Sequence, residues 1–242
     1  YNVRAEPRSN NAYAAGSGAC TGGPYQRLDR LRRPERAKAT HRKMRAKDRP
    51  LKNDCISDEE YKRLLQAWLA NMAKVLEPGR GFYIWGGYAN GVHYPTVLKA
   101  AKLYFSQMVV WVKEHPTMTC KDFMCNHELC FYGWKEGAAH QFFGPRNAVD
   151  VWSVQKINPI KMIHLTEKPV ELALRAIQYS SREGECVLDL FGGSGSTLIA
   201  AEQTGRRAFL MEIDPLYCDV IVRRWEQFTG RRAERDGKGH SS

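Results

Sequence analysis

Apolar residues recur at two different spacings along the chain, and each spacing predicts a different kind of element. In residues 57–79 large apolar side chains fall three or four positions apart, and the pattern ends at Pro78-Gly79, which predicts an amphipathic helix. Ser57 followed by Glu60 is typical of a capping box at the start of that helix. Shorter apolar runs, GFYIWGG, SQMVVWVK and ELCFYGWK, have the length and composition of buried strands.

Strands and helices alternate from residue 164 onward. The segments TEKPVELALRAIQYSS, STLIAAEQTG and PLYCDVIVRRWEQFTG predict helices, and ECVLDLF and RRAFLMEID predict the strands between them. Such alternation predicts a mostly parallel sheet with helices on both faces, so the fold class is α/β. Upstream, PTVLKAAKLY predicts a further helix and DVWSV a short strand.

A glycine-rich loop, DLFGGSGST at residues 189–197, separates one predicted strand from the next helix. No Lys follows Gly195, as a triphosphate-binding loop requires, and Leu198 stands where a dinucleotide fingerprint has its third glycine. A nucleoside cofactor without a pyrophosphate, such as S-adenosylmethionine, fits this pattern. Glu212, at the end of the next strand, would then accept hydrogen bonds from ribose hydroxyls. Asp189 would either shape the loop or bind the methionyl amino group, and an ordinary strand–helix turn is the alternative.

Charge adds a second candidate surface. The 242-residue chain has a formal net charge of +11, and residues 26–52 hold twelve Lys or Arg against three acids. This basic arm predicts salt-dependent contacts with a polyanion such as DNA, and a solvated linker is the alternative. The candidate phosphate contacts are Arg27, Arg30, Arg32, Arg33, Arg36, Lys38, Arg42, Lys43, Arg45 and Lys47.

Cysteine usage and hydropathy exclude two other classes of protein. The seven Cys are scattered and odd in number, which is typical of reduced thiols rather than a disulfide scaffold. The spacing of Cys120, Cys125 and Cys130 does not match paired zinc ligands, so we expect no metal site. No apolar run reaches 18 residues, so no membrane-spanning helix and no membrane partner are predicted.

Two stretches, HLTEKPVELALRAI and VLDLFGGSGSTLIAAEQTGRRAFLMEIDPLYCDVIVRRWE, resemble the S-adenosylmethionine-dependent amino-methyltransferases of DNA. NHELCFYGWKEGAAH resembles a stretch found in bacterial and phage modification enzymes. The resemblance covers residues 53–229 and is most specific in residues 164–217. It is to the subgroup in which the catalytic motif comes before the target-recognition segment and the cofactor loop comes last. It implies a Rossmann-like sheet in a cytoplasmic enzyme of bacterial or phage origin.

The resemblance also implies roles for individual residues. Glu212 would hold the ribose, Phe191 would lie near the cofactor, and an H-x-T-x-K-P segment would close on the methionine carboxylate. Without the family, Lys168-Pro169 is a plain helix start. The implied cofactor-binding residues are Asp189, Phe191, Gly192, Gly193, Ser194, Gly195, Ser196, Thr197, Glu212, Asp214, His164, Thr166, Lys168 and Pro169.

The catalytic motif of the family, (D/N/S)-P-P-(Y/F/W), is not in this sequence, which contains no Pro-Pro pair. The chain begins Tyr1-Asn2-Val3, which resembles the end of that motif and its continuation. We therefore expect a chain cut within the motif, with Tyr1 as the residue that stacks on a flipped-out base. Such a chain would lack strands upstream, have an apolar sheet edge, and be inactive alone. An arbitrary terminus that happens to read YNV is the alternative.

The predicted function is site-specific methylation of double-stranded DNA, and Tyr-Asn-Val favours adenine N6. Cytosine N4 methylation, methylation of RNA or a small molecule, and a catalytically dead DNA-binding relative are the alternatives. A homodimer and a cognate restriction enzyme are further partners that such an enzyme can have. We expect base recognition in residues 114–154, with Lys113, Lys121, Arg146 and Asn147 as candidates.

The predicted organisation has three parts. Residues 1–52 form a loop and the basic arm. Residues 53–229 form the methyltransferase domain, in which residues 114–154 are a recognition-like insertion and residues 164–229 are the cofactor-binding half. Residues 230–242 are expected to be a disordered tail.

Overall fold

The computed structural model describes residues 2–4, 57–117, 122–158 and 167–235. These residues form seven strands and five α-helices, and a 3-10 helix, Tyr88–His93, precedes the second α-helix. In chain order the elements are β1 (Asn2–Arg4), α1 (Asp58–Val75), β2 (Gly81–Gly86), α2 (Tyr94–Ala100), β3 (Leu103–Thr117), β4 (Cys125–Lys135), β5 (Val151–Ser153), α3 (Val170–Ser180), β6 (Cys186–Asp189), α4 (Ser196–Gln203), β7 (Arg207–Leu210) and α5 (Pro215–Thr229).

The strands form two sheets, a five-stranded one in the order β1-β2-β4-β3-β5 and a two-stranded one of β6 and β7. β1 runs parallel to β2, β5 parallel to β3 and β7 parallel to β6, whereas β4 is antiparallel to both β2 and β3. β1 also approaches β6, although no strand pairing joins the two sheets within the described residues. The α/β class is confirmed, and the antiparallel β3–β4 hairpin makes the larger sheet mixed.

Two buried clusters cover opposite faces of the larger sheet. Phe82 and Ile84 of β2 pack with one face of α1 and with α2, whereas Tyr83 and Trp85 point to the other face and pack with α3. Because both faces are covered, all six residues of β2 are buried, as its continuous apolar run predicts. Tyr61 of α1 is buried in the core and Trp68 packs against it, and the Tyr61 hydroxyl is hydrogen bonded to the Tyr94 hydroxyl at 2.6 Å.

The helix ends agree with the sequence pattern in outline and differ in detail. Ser57 caps α1 by accepting the Glu60 N–H at 3.2 Å, but the Glu60 carboxylate bonds Arg63. Only the serine half of the capping box is therefore established. Pro169 is the N-cap of α3, so Glu167 and Lys168 precede the helix that the pattern TEKPVELALRAIQYSS predicts. Lys102 has a φ of 55° and ends the turn after α2, and β3 begins at the next residue, Leu103.

The first residues after α5 pack against the body of the protein. Gly230 ends α5 in the left-handed conformation, and the Arg231 guanidinium lies over Trp225 and pairs with Glu202. The Ala233 N–H donates to Glu226 at 2.9 Å. Arg231 and Ala233, in the segment for which a disordered tail is expected, thus contact α4 and α5. Among the described helices, none has the length and apolar character needed to cross a membrane.

Candidate functional site

The Asp189 carboxylate fixes both ends of the glycine loop. It ends β6, is only 3% exposed, and accepts the Phe191 N–H at 3.0 Å and the Thr197 hydroxyl at 2.6 Å, one on each oxygen. These bonds join the start of the loop to the first turn of α4. Of the two roles that the sequence left open for Asp189, the structure therefore shows the loop-shaping one.

The glycines let α5 pack directly beneath the loop. Gly193 and Gly195 have φ angles of 55° and 80°, in the region that side chains disfavour. A Cβ on Gly192 would lie 3.0 Å from the Ile221 Cδ1 and 3.3 Å from the Met211 carbonyl oxygen. The loop therefore needs glycine for both conformation and space.

Glu212 ties the end of β7 to the same loop. One of its oxygens accepts the Gly193 N–H at 2.8 Å, and the other accepts the Asp214 N–H at 2.9 Å. Each carboxylate oxygen has a second lone pair, so Glu212 can still accept a ribose hydroxyl. Asp214 caps α5 by accepting the Leu216 N–H at 3.0 Å, which gives it a structural role.

Lys168, the lysine of the K-P pair, lies in a buried cluster of charges. Its ammonium is 3.0 Å from one oxygen of Glu128, whose other oxygen is 2.7 Å from the Lys113 ammonium. Burial acts to raise the pKa of Glu128, but the positive charges of Lys168 and Lys113 prevail and lower it to about 2. Glu128 is therefore ionised at neutral pH.

A further ion pair, which no motif in the sequence predicts, lies beside the loop. Arg224 of α5 donates from Nη1 to Glu167 at 2.8 Å and to the Ser194 carbonyl at 2.9 Å, with the Ser194 hydroxyl at 3.1 Å. Glu167 is only 6% exposed. No periodicity or motif predicts this pair. From its position on an amphipathic helix, Arg224 is expected to be exposed to solvent. The pair joins the segment before α3 to the glycine loop.

A small cavity, partly open to solvent, lies between β2, β6 and the starts of α3 and α4. Its lining combines an ammonium, a carboxylate, hydroxyls and apolar side chains from Trp85, Lys168, Pro169, Leu172, Ala173, Asp189, Ser196 and Thr197. This set complements a zwitterionic amino-acid group on an apolar stem. These side chains have the chemistry to hold the methionine part of S-adenosylmethionine, and Glu212 contacts the same glycine loop through the Gly193 N–H.

Several of the residues that the sequence predicts to bind DNA or the cofactor lie outside the part of the chain that the structure describes. Tyr1, His164, Thr166, Lys121 and the ten basic residues of the arm lie outside the described residues. Arg146 and Asn147 are exposed. Lys113, a further candidate for base contact, is 7% exposed and paired with Glu128, which argues against that role. No group of metal-ligating side chains gathers in the part of the chain that the structure describes.

Comparison with known proteins gives a consistent family assignment. Residues 24–223 match a family model described as DNA methylase, for the N6 and N4 methyltransferases. The chain is 25% identical over 185 residues to the type II methyltransferase M2.DpnII of Streptococcus pneumoniae, covering 70% of this chain and 69% of that one. It is 24% identical over 176 residues to M2.MboI of Moraxella bovis, covering 67% and 64% of the two chains.

Solved structures show the same fold. The structure of M1.HpyAVI in complex with S-adenosylmethionine superposes with a TM-score of 0.62 at 22% sequence identity, covering 70% of this chain and 85% of that one. Relative to the two curated relatives described above, M2.DpnII and M2.MboI, the present chain spans about two thirds of their length.

Proposed function

Since this chain belongs to the DNA methylase family, whose members use S-adenosylmethionine, we propose that it takes part in methyl transfer to an exocyclic amino group of a DNA base. The observation that supports this most directly is the glycine loop. It is held by the carboxylates of Asp189 and Glu212, and Lys168 lines the same cavity as Asp189. Adenine N6 is the base position that we favour.

Each side of the loop has a proposed role in holding the donor. Glu212 accepts the ribose hydroxyls, Lys168 pairs with the methionine carboxylate, and Gly192, Gly193 and Gly195 let the ligand approach the backbone. When bound, S-adenosylmethionine supplies an electrophilic methyl group. The walls of the cavity, Leu172 and Ala173, exclude water from the apolar stem of the ligand.

The acceptor side of the proposal comes from the sequence. Tyr1 stacks on the flipped base, and the basic arm contacts DNA phosphates. The Asp and the proline-fixed carbonyl that accept hydrogen bonds from the amino group are not in this sequence. We therefore propose that residues 1–242 bind S-adenosylmethionine but do not methylate DNA by themselves.

Two measurements test this proposal. Calorimetric titration of the chain with S-adenosylmethionine should show binding. Methyl transfer to duplex DNA should be undetectable with this chain, and should be present with a longer polypeptide if its coding sequence places Asp-Pro-Pro before Tyr1. Mass spectrometry of the product nucleosides distinguishes N6-methyladenine from N4-methylcytosine.

Three other results would contradict parts of this proposal or support an alternative to it. Methylation of RNA in preference to DNA would contradict the proposed substrate. Methylation of DNA by residues 1–242 alone would contradict the proposed inactivity. DNA binding by a longer polypeptide that has no Asp-Pro-Pro and no activity would support a catalytically dead relative.

A further inference from the structure

Glu128 joins two lysines that come from different parts of the fold. Glu128 is on β4, Lys113 is on the neighbouring strand β3, and Lys168 lies in the segment before α3. Each ammonium contacts a different oxygen of the carboxylate, at 2.7 Å for Lys113 and 3.0 Å for Lys168. The carboxylate therefore links the β3–β4 hairpin to the K-P segment that lines the cavity.

Each of the two lysine ammonium groups lies over a tryptophan ring. The Lys168 ammonium lies 5.8 Å from the Trp85 ring centroid, and the Lys113 ammonium lies 5.1 Å from the Trp111 ring centroid. The two indoles meet edge to face with their centroids 6.2 Å apart. Indole faces attract cations, but they supply no counter-charge. Glu128 supplies negative charge to both ammonium groups.

The cluster carries more positive than negative charge. Lys156, which follows β5, is partly buried nearby, and burial and the charge of Lys113 lower the pKa of the Lys156 ammonium. Lys168 and Lys113 share the carboxylate of Glu128, the charges of Lys113 and Glu128 also act on Lys156, and Asp189 of β6 lines the same cavity as Lys168. Such an excess of positive charge at the edge of a cavity favours an anionic ligand group.

We propose that Glu128 is a positioning residue that holds the Lys168 ammonium, charged and correctly placed, for the carboxylate of the amino-acid part of the cofactor. This inference rests on the proposed binding of S-adenosylmethionine. Without Glu128, Lys168 and Lys113 would repel each other, and the Lys168 side chain would turn away from the cavity or lose its proton.

Two other roles for Glu128 fit the structure less well. A general base must accept a proton, but both oxygens of Glu128 are bound to ammonium groups and its pKa is held at about 2. A purely structural ion pair would stabilise the fold and leave ligand selectivity unchanged. Selectivity for a ligand carboxylate therefore separates the positioning role from the structural one.

The experiment compares two ligands that differ in the amino-acid part. S-adenosylmethionine has the carboxylate, whereas 5′-methylthioadenosine has the same adenosine and lacks the amino-acid group. Glu128→Gln should weaken S-adenosylmethionine binding at least tenfold and leave 5′-methylthioadenosine binding unchanged. Glu128→Asp should restore part of the loss. Glu114→Gln is the matched control, because it makes the same charge change on an exposed residue of β3.

Two calorimetric outcomes would overturn the inference. In the first, Glu128→Gln binds S-adenosylmethionine as tightly as the unaltered chain does. In the second, it loses affinity for both ligands equally, which would indicate a structural role.

Titration of the lysine side chains tests the inference without a bound ligand. Lysines labelled by 13C-dimethylation are followed by NMR against pH, and Lys168→Met identifies the Lys168 resonance. Glu128→Gln should lower the Lys168 titration midpoint by at least one pH unit, and an unchanged midpoint would overturn the positioning role. If that midpoint falls but no variant binds S-adenosylmethionine, the proposed function fails while the charge coupling stands.

Discussion

The two oxygens of Asp189 have separate partners, so a single-atom change tests both contacts. Asp189→Asn keeps its amide oxygen on the Phe191 N–H when its NH2 group faces Thr197, whose hydroxyl must then turn and accept instead of donate. Both hydrogen bonds lose the charge of the carboxylate, which should cost about 1 kcal/mol of unfolding free energy. Urea denaturation measures this loss, and calorimetry should show weaker S-adenosylmethionine binding as the loop loosens.

Two substitutions of Thr197, one with and one without a hydroxyl, test the hydrogen bond to Asp189 from the other side. Thr197→Ser keeps the hydroxyl donor to Asp189, whereas Thr197→Val removes it at similar volume. The serine variant should stay close to the unaltered chain, and the valine variant should lose about 1–2 kcal/mol. Equal stability of the two variants would show that the hydrogen bond does not hold the loop.

Glu128 gives the protein a stability that depends on acid pH. The pKa of its carboxyl is lowered from 4.5 to about 2 in the folded state, so folding favours the ionised form. Its contribution is therefore complete above pH 4.5 and is lost as the pH falls toward 2. The lost stability should be on the order of 1–3 kcal/mol, reduced from the full shift because the side chain is 31% exposed.

Denaturant unfolding at a series of pH values measures this effect. Between pH 5 and pH 2.5 (about the range set by the two pKa values), the curve for Glu128→Gln should be flatter than that of the unaltered chain. Parallel curves for the two proteins would contradict the prediction.

At the scale of elements, Arg224 connects α5 to the segment before α3 and to the glycine loop. Arg224→Met would leave Glu167 buried without this partner, so it should destabilise the protein by about 3–5 kcal/mol. Adding Glu167→Gln should recover part of that loss, since no charge is then left buried. A double-mutant cycle on unfolding free energies measures the coupling, and simple additivity would show that the pair is not coupled.

The sequence predicted which segments are helices and strands because periodicity reflects which faces are buried. The sequence pattern predicts too early a start for α3, because Glu167 and Lys168 are residue types that favour helices. In the structure Pro169 is the N-cap, and Glu167 is buried against Arg224. The sequence identified Asp189 and Glu212 from their positions at strand ends. It did not identify Glu128 as a site residue, because Glu128 meets Lys168 only when the β3–β4 hairpin pairs with β2.

At the scale of the whole molecule, topology gathers the site from distant parts of the chain. Trp85 at the end of β2 and Asp189 at the end of β6 line one cavity, although about a hundred residues separate them in the chain. Ligand crevices at the carboxyl ends of strands are general in α/β folds. The proposed donor site is therefore built by the described sheets, while the predicted acceptor site depends on the segments at the chain start.

The net charge of +11 leads to a prediction about how the molecule binds DNA. If the basic arm contacts phosphates, affinity for duplex DNA should fall linearly on a log–log plot against salt. Arg30→Gln, Arg32→Gln and Arg33→Gln together should lower the slope by about 0.9 for each phosphate contact that is lost.

The control for that prediction removes the same charge elsewhere, by Arg223→Gln, Arg232→Gln and Arg235→Gln at exposed positions on and after α5. Fluorescence anisotropy with a labelled duplex at several salt concentrations measures both slopes. If affinity follows only total charge, the two triple variants will behave alike. If the arm is the contact surface, the arm variant alone will have the shallower slope, because counterions are released only where phosphates are neutralised.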